Sequence, residues 1–290
     1  MTETRYDQGI TEAEAARNGQ AGFGWIDAHI HLDHYDEAKC ESMLAEAYAA
    51  GCEGVVGVSQ NMASCLTIRT IAQRHNGRVV PAYGFHPEQP VPDEADIALL
   101  LDWIRARHAE GERFAIGEVG LPYFTRTNAE KAGQPFDESG HLLLLDRFAA
   151  LAAELDRPIA LHVIHEDGNK VCDLLERHGV RRAHFHYFKG DRATIERMIA
   201  KGYYVSITPD VLYDEQSREL VRLYPIELMM TETDGPWPFE GPFQGVETTP
   251  MLASAAVREI AVLKGLDVRE AAAALAGTAK RVYGFAAGTR

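Results

Sequence analysis

Gly24-Trp25-Ile26-Asp27-Ala28-His29-Ile30-His31 reads as a β-strand that ends in imidazoles. Side chains alternate faces along a strand, so His29 and His31 share one face with Asp27 one layer below. Ile26, Ala28, Ile30 and Leu32 take the opposite, apolar face. In a doubly wound open sheet this position would carry a glycine-rich phosphate loop. Histidines stand there instead.

Seven more strand-like runs follow, at 54–59, 79–85, 114–119, 159–163, 182–187, 203–208 and 227–233. Helix-like runs lie between them, among them 37–50, 96–110, 139–156, 167–178, 191–201, 214–223 and 251–264. Eight strands alternating with helices is the pattern of an α/β protein built as a single (β/α)8 barrel. No Pro/Ser-rich linker divides the chain. The expected organisation is therefore a polar N-terminal tail at 1–22 and one barrel domain at 23–290.

Metal-type ligands recur at the expected C-terminal ends of five strands. Beyond His29 and His31, the fourth strand ends Gly117-Glu118-Val119-Gly120, a carboxylate between glycines. The fifth ends Ala160-Leu161-His162, the sixth His184-Phe185-His186, and the eighth Thr231-Glu232-Thr233-Asp234-Gly235-Pro236. Catalytic groups gather at that rim of such barrels. The set suggests two divalent ions, one on His29, His31, Glu118 and Asp234, the other on Glu118, His162 and His186, with Glu118 bridging. Histidine and carboxylate donors suit Zn²⁺, Mn²⁺ or Mg²⁺. Paired ions would activate a shared water toward hydroxide and polarise the bond to be cleaved, with Asp234 as the proton acceptor. His184 reads as a core residue, and Asp33, His34 and Asp36 as part of the first loop.

Composition limits the partners. The 290 residues carry 29 Lys and Arg against 43 Asp and Glu, a formal net charge of −14. That opposes binding nucleic acid by bulk electrostatics, or an anionic membrane surface. The four cysteines form no C-x-x-C pair, and no apolar run reaches the roughly 18–20 residues of a membrane span. A cytoplasmic protein with reduced cysteines is expected, meeting a small molecule or a nucleic-acid end without forming a stable complex.

Six stretches in this order resemble the TatD-like metal-dependent hydrolases of the amidohydrolase superfamily. They are Asp27 to Leu32, Gly84-Phe85-His86-Pro87, Ile116 to Leu121, Arg157 to His162, His186-Tyr187-Phe188-Lys189-Gly190 and Thr231 to Pro236. The resemblance covers about 24–285. It implies a TIM-like barrel, divalent metals, and hydrolysis of DNA phosphodiester bonds as a 3′→5′ exonuclease. It assigns the metal to His29, His31, Glu118, His162, His186 and Asp234, and Glu118 and Asp234 are the expected catalytic groups. His86 matches a family histidine expected beside the metal rather than on it, and Asp27 lies behind it.

Departures concern the substrate side. Pro122 stands where the family has aspartate, and Ile164 where it has arginine. Arginine suits phosphate by geometry and charge, so Lys189 or Arg126 would have to compensate. The stretch 122–140 reads as a long rim loop, with Tyr123, Phe124 and Arg126 nearest the mouth. The stretch 235–243, rich in Pro and aromatics, reads as a stiff lid or a stacking platform. Two further readings stay open: a hydrolase of small amides, esters or lactones on the same centre, and a metal-binding barrel without turnover.

Overall fold

The computed structural model describes residues 22–285. The tail read at 1–22 lies outside the described residues except for Gly22. Eight strands run in order: β1 (Trp25–Ile30), β2 (Cys52–Val58), β3 (Val79–Tyr83), β4 (Ala115–Gly120), β5 (Ile159–His162), β6 (Ala183–His186), β7 (Tyr204–Ile207) and β8 (Met229–Thr231). They form a closed barrel in sequence order, β8 pairing parallel with β1. The (β/α)8 expectation holds, with each strand within a few residues of its expected place.

The helices are α1 (Glu37–Ala50), α2 (Met62–Arg74), α3 (Glu94–Ala109), α4 (Tyr123–Lys131), α5 (Ser139–Glu154), α6 (Asp167–His178), α7 (Arg192–Lys201), α8 (Glu215–Leu223), α9 (Ala253–Lys264) and α10 (Val268–Tyr283). Sequence punctuation sets their ends. Asp36, Asp93, Asp191, Asp214 and Asp267 accept backbone N–H groups at the N-termini of α1, α3, α7, α8 and α10. Glycines in the left-handed region close α1, α6, α7, α9 and α10.

Two helices differ from expectation for clear reasons. The stretch 122–140 begins with α4, which buries no residue and so writes no apolar stripe into the sequence. The buried face of α10 is largely alanine, at Ala271, Ala272, Ala276 and Ala279, which contrasts weakly with its neighbours.

Packing divides the chain into two compact units. One holds the described residues of Met1–Gly57, Ile71–Val80 and Val205–Arg290, the other Val58–Thr70 and Pro81–Tyr204. In the first, β1 is buried along its whole length, as a strand covered on both faces must be. In the second, β4 and β5 approach unusually closely. Gly117 has φ of +129°, and a Cβ there would lie 2.5 Å from the Ala160 carbonyl oxygen. A Cβ on Gly120 would collide with the His162 carbonyl. The glycines around Glu118 therefore bring its strand against the one that carries His162. All four cysteines are buried and unbridged.

Candidate metal centre

In the first unit, β1 and the residues after β8 bring three ligand-type side chains together. His29 lies near the end of β1 and His31 just beyond it. The Asp234 N–H donates to the His29 carbonyl at 2.9 Å, and the His31 N–H to the Gly235 carbonyl at 2.8 Å. These bonds zip the chain after β8 onto β1 and hold Asp234 at φ +50°, a left-handed conformation that aspartate tolerates. Asp234 Oδ1 then stands 3.6 Å from His29 Nε2 and 3.4 Å from His31 Nε2. The three donor atoms lie within 4.8 Å of one another, both imidazoles are buried, and the carboxylate is partly open.

Asp27 braces this cluster from behind. Its carboxylate accepts from Thr233 Oγ1 at 2.6 Å, Thr233 N at 3.0 Å and His29 N at 3.3 Å. Burial pushes its pKa up to about 7, against the opposing pull of these hydrogen bonds. His34 stacks on His31 with ring centroids 5.1 Å apart, and a donor atom each of His31, Asp33 and His34 falls within 4.8 Å. Glu232, just past the end of β8, is buried and accepts from Ser206 Oγ.

In the second unit, register builds the cluster. His162 ends β5 directly opposite His186, which ends β6, so the two rings are neighbours. Glu118 Oε1 receives both, at 2.9 Å from His162 Nδ1 and 2.7 Å from His186 Nε2. His86 joins them, its Nε2 3.4 Å from the same oxygen. Donor atoms of His86, Glu118 and His162 lie within 4.8 Å of one another. His86 thus lies beside the candidate ligands, where its sequence context puts it. Its Nδ1 accepts the Glu88 N–H at 3.2 Å, which leaves the ring proton on Nε2, facing Glu118.

Glu88 was missed in the sequence. Its Oε1 lies 3.3 Å from His162 Nε2. It also accepts from the N–H groups of Phe124 and Thr125 at 2.8 and 2.7 Å and from Thr125 Oγ1 at 2.6 Å, at the start of α4. Burial resists its ionisation, but the neighbouring His162 ring and these hydrogen bonds outweigh it and hold its pKa down at about 2. Burial likewise disfavours a charged His162, yet Glu118 and Glu88 on its two nitrogens carry its pKa up to about 9. The available signal was a glutamate two residues past His86 in the same tight turn.

The expected substrate contacts divide. Arg126 is tied to carboxylates: its guanidinium lies 2.8 Å from Asp167, 3.0 Å from Glu166 and 3.6 Å from Glu138. Tyr123 packs on His165, ring centroids 5.2 Å apart. Lys189 Nζ sits 4.8 Å from the Tyr187 ring centre. Ile164, at the position of the expected arginine, is buried. Phe124 is 45% exposed, with its ring 6.0 Å from that of His162. In the stretch 235–243, Phe239 and Phe243 pack with Leu252 and Ala255, while Trp237 is 57% exposed.

A parallel barrel carrying two convergent sets of buried imidazoles and carboxylates beside strand C-termini has the donor chemistry of a divalent-metal hydrolase. The TatD related DNase family matches residues 26–284. A Haemophilus influenzae protein named an uncharacterised metal-dependent hydrolase is 32% identical over 84% of this chain and 92% of its own length. The human protein named deoxyribonuclease TATDN3 is 29% identical over 86% of this chain and 91% of its own. The solved structure of the Escherichia coli TatD homologue YJJV superposes with a TM-score of 0.75 at 23% identity, covering 90% of this chain and 98% of that one. The chain belongs to the TatD related DNase family, and with it to the metal-dependent hydrolases. Among the described residues no helix is long and apolar enough to cross a membrane.

Proposed function

We propose that this chain is a metal-dependent nuclease that cleaves phosphodiester bonds at a nucleic-acid end, as a deoxyribonuclease of the 3′→5′ exonuclease kind. The observation that carries this reading is the pair of donor sets, His29, His31 and Asp234 on one side and Glu118, His162 and His186 on the other. The name of the human relative supports it. In this reading His29, His31 and Asp234 would hold one divalent ion and Glu118, His162 and His186 a second, and residues 23–290 act as one domain in the cytoplasm. When bound, such ions lower the pKa of water and polarise the oxygen of the bond to be cleaved.

The protein's own groups do the rest. Asp234, the one partly open carboxylate of its set, takes the proton of the attacking water at Oδ1. His86 stays off the metal, because Nδ1 accepts the Glu88 N–H, and its Nε2–H steadies Glu118 Oε1. Asp27 fixes the strand end behind His29 and His31. Phe124, exposed beside His162, offers a ring on which a terminal base stacks. Tyr123, Arg126 and Lys189 frame the same rim, with Arg126 held by its carboxylates.

The test is release of mononucleotides from single-stranded DNA by the purified chain with Mn²⁺ or Mg²⁺. Time-dependent release that stops with chelator supports the nuclease. A metal-loaded protein that releases none but turns over small esters or lactones supports the second reading, hydrolysis of small amides, esters or lactones. That reading is favoured by the buried Ile164 and the paired Arg126, which leave the rim short of a bidentate phosphate contact.

A further inference from the structure

We infer that Glu88 is the positioning residue that selects which nitrogen of His162 faces the metal. A histidine ligand usually donates its other ring N–H to a carboxylate or carbonyl, which fixes both tautomer and ring orientation. His162 has a carboxylate beside that second nitrogen. Its Nδ1 points into the cluster, 2.9 Å from Glu118 Oε1 and 3.2 Å from His186 Nε2. Its Nε2 points the other way, 3.3 Å from Glu88 Oε1. A carboxylate on that side keeps the proton on Nε2 and leaves the Nδ1 lone pair for an ion.

Glu88 is itself immobilised. The Phe124 N–H binds Oε1, and the Thr125 N–H and hydroxyl bind Oε2. An ionised carboxylate at a helix N-terminus also meets the favourable end of the α4 dipole. The first turn of α4, the turn after His86 and the His162 ring thus form one connected unit. Phe124 is placed at the rim by the same bonds. This explains why α4 forms although it buries no side chain: its start is held by a carboxylate that also orients a ligand.

The inference rests on His162 being a ligand, and the experiment separates the two claims. Zn²⁺ affinity of the full chain is measured by chelator competition for wild type, Glu88→Ala, Glu88→Gln and His162→Ala. Nitrogen-15 spectra of the Zn²⁺-loaded proteins locate the His162 ring proton. Losing an outer partner of this kind costs about 10- to 100-fold in metal affinity, and Glu88→Ala is expected in that range. Wild type shows a protected proton on Nε2 with zinc on Nδ1. Glu88→Gln keeps an acceptor, so it loses less affinity, and its Nε2 proton resonance moves upfield as an amide replaces the charged acceptor. If Glu88→Ala does not fold, that resonance in Glu88→Gln decides.

Wild-type Zn²⁺ affinity in Glu88→Ala, alongside a loss in His162→Ala, overturns the positioning role alone. So does an unmoved His162 resonance in Glu88→Gln, because Glu88 would then only cap α4. Undiminished binding in His162→Ala removes the ligand assignment, and the positioning role with it.

Discussion

The two donor clusters are built by different means. The His29, His31 and Asp234 cluster is held mainly by backbone: two hydrogen bonds between β1 and the chain after β8 place the side chains, with Asp27 bracing them from behind. The Glu118, His162 and His186 cluster is held by side chains. Three imidazoles converge on one carboxylate oxygen, and Glu88 braces one of them from outside. A backbone-built cluster tolerates loss of a supporting side chain better, since its frame survives. A side-chain cluster fails as a unit, because each group is the next one's partner.

The largest effect should follow removal of the shared carboxylate. Glu118→Ala is expected to bring hydrolysis to background, beyond the ~100-fold upper range for losing an outer partner, with the circular dichroism of a folded barrel retained. Activity within tenfold of wild type would show that the second cluster does not depend on its centre. Gly117→Ala attacks the same cluster through the backbone. The φ of +129° and the Ala160 carbonyl in the way should cost about 1–3 kcal/mol or more, read as a lower unfolding midpoint together with lost turnover. An unchanged midpoint would mean that the β4–β5 approach is not constrained as described.

In the first cluster, Asp234→Asn should keep most metal binding and lose turnover, because an amide oxygen still ligates but does not accept the proton. Retained turnover would move proton transfer to another group. Thr233→Val removes the hydroxyl that donates to buried Asp27 and is expected to cost about 1–3 kcal/mol in denaturant unfolding, with kcat falling less than in Asp234→Asn. A collapse of activity as complete as in Glu118→Ala would erase the contrast between the clusters. Arg126→Ala should change least in catalysis. It leaves buried Asp167 with Lys170 as its remaining ion-pair partner, so melting temperature should fall while KM for DNA stays within a few-fold. A large rise in KM would make Arg126 a phosphate contact.

The barrel and the clustering of the candidate donor side chains were legible for one reason: both obey strand periodicity. His29 and His31 two apart, and His162 and His186 each at a strand end, state their face and height without a structure. Glu118 was legible through its glycines, and the structure adds that Gly117 and Gly120 are there to admit β5. What sequence did not disclose lies where periodicity is absent. Glu88 sits in a turn, and its role depends on α4, which has no apolar face to announce it. Arg126 looked like a free cation because Glu138, Glu166 and Asp167 converge on it only after folding. Ile164 remains the clearest departure on the substrate side, a buried apolar side chain where the resemblance expects an arginine.

The most direct test of the account is anomalous diffraction from crystals of the full chain loaded with Mn²⁺ or Zn²⁺. Two peaks are expected, one bounded by His29, His31 and Asp234 and the other by Glu118, His162 and His186. Peaks that miss either set, or a loaded crystal with none at these residues, would contradict it.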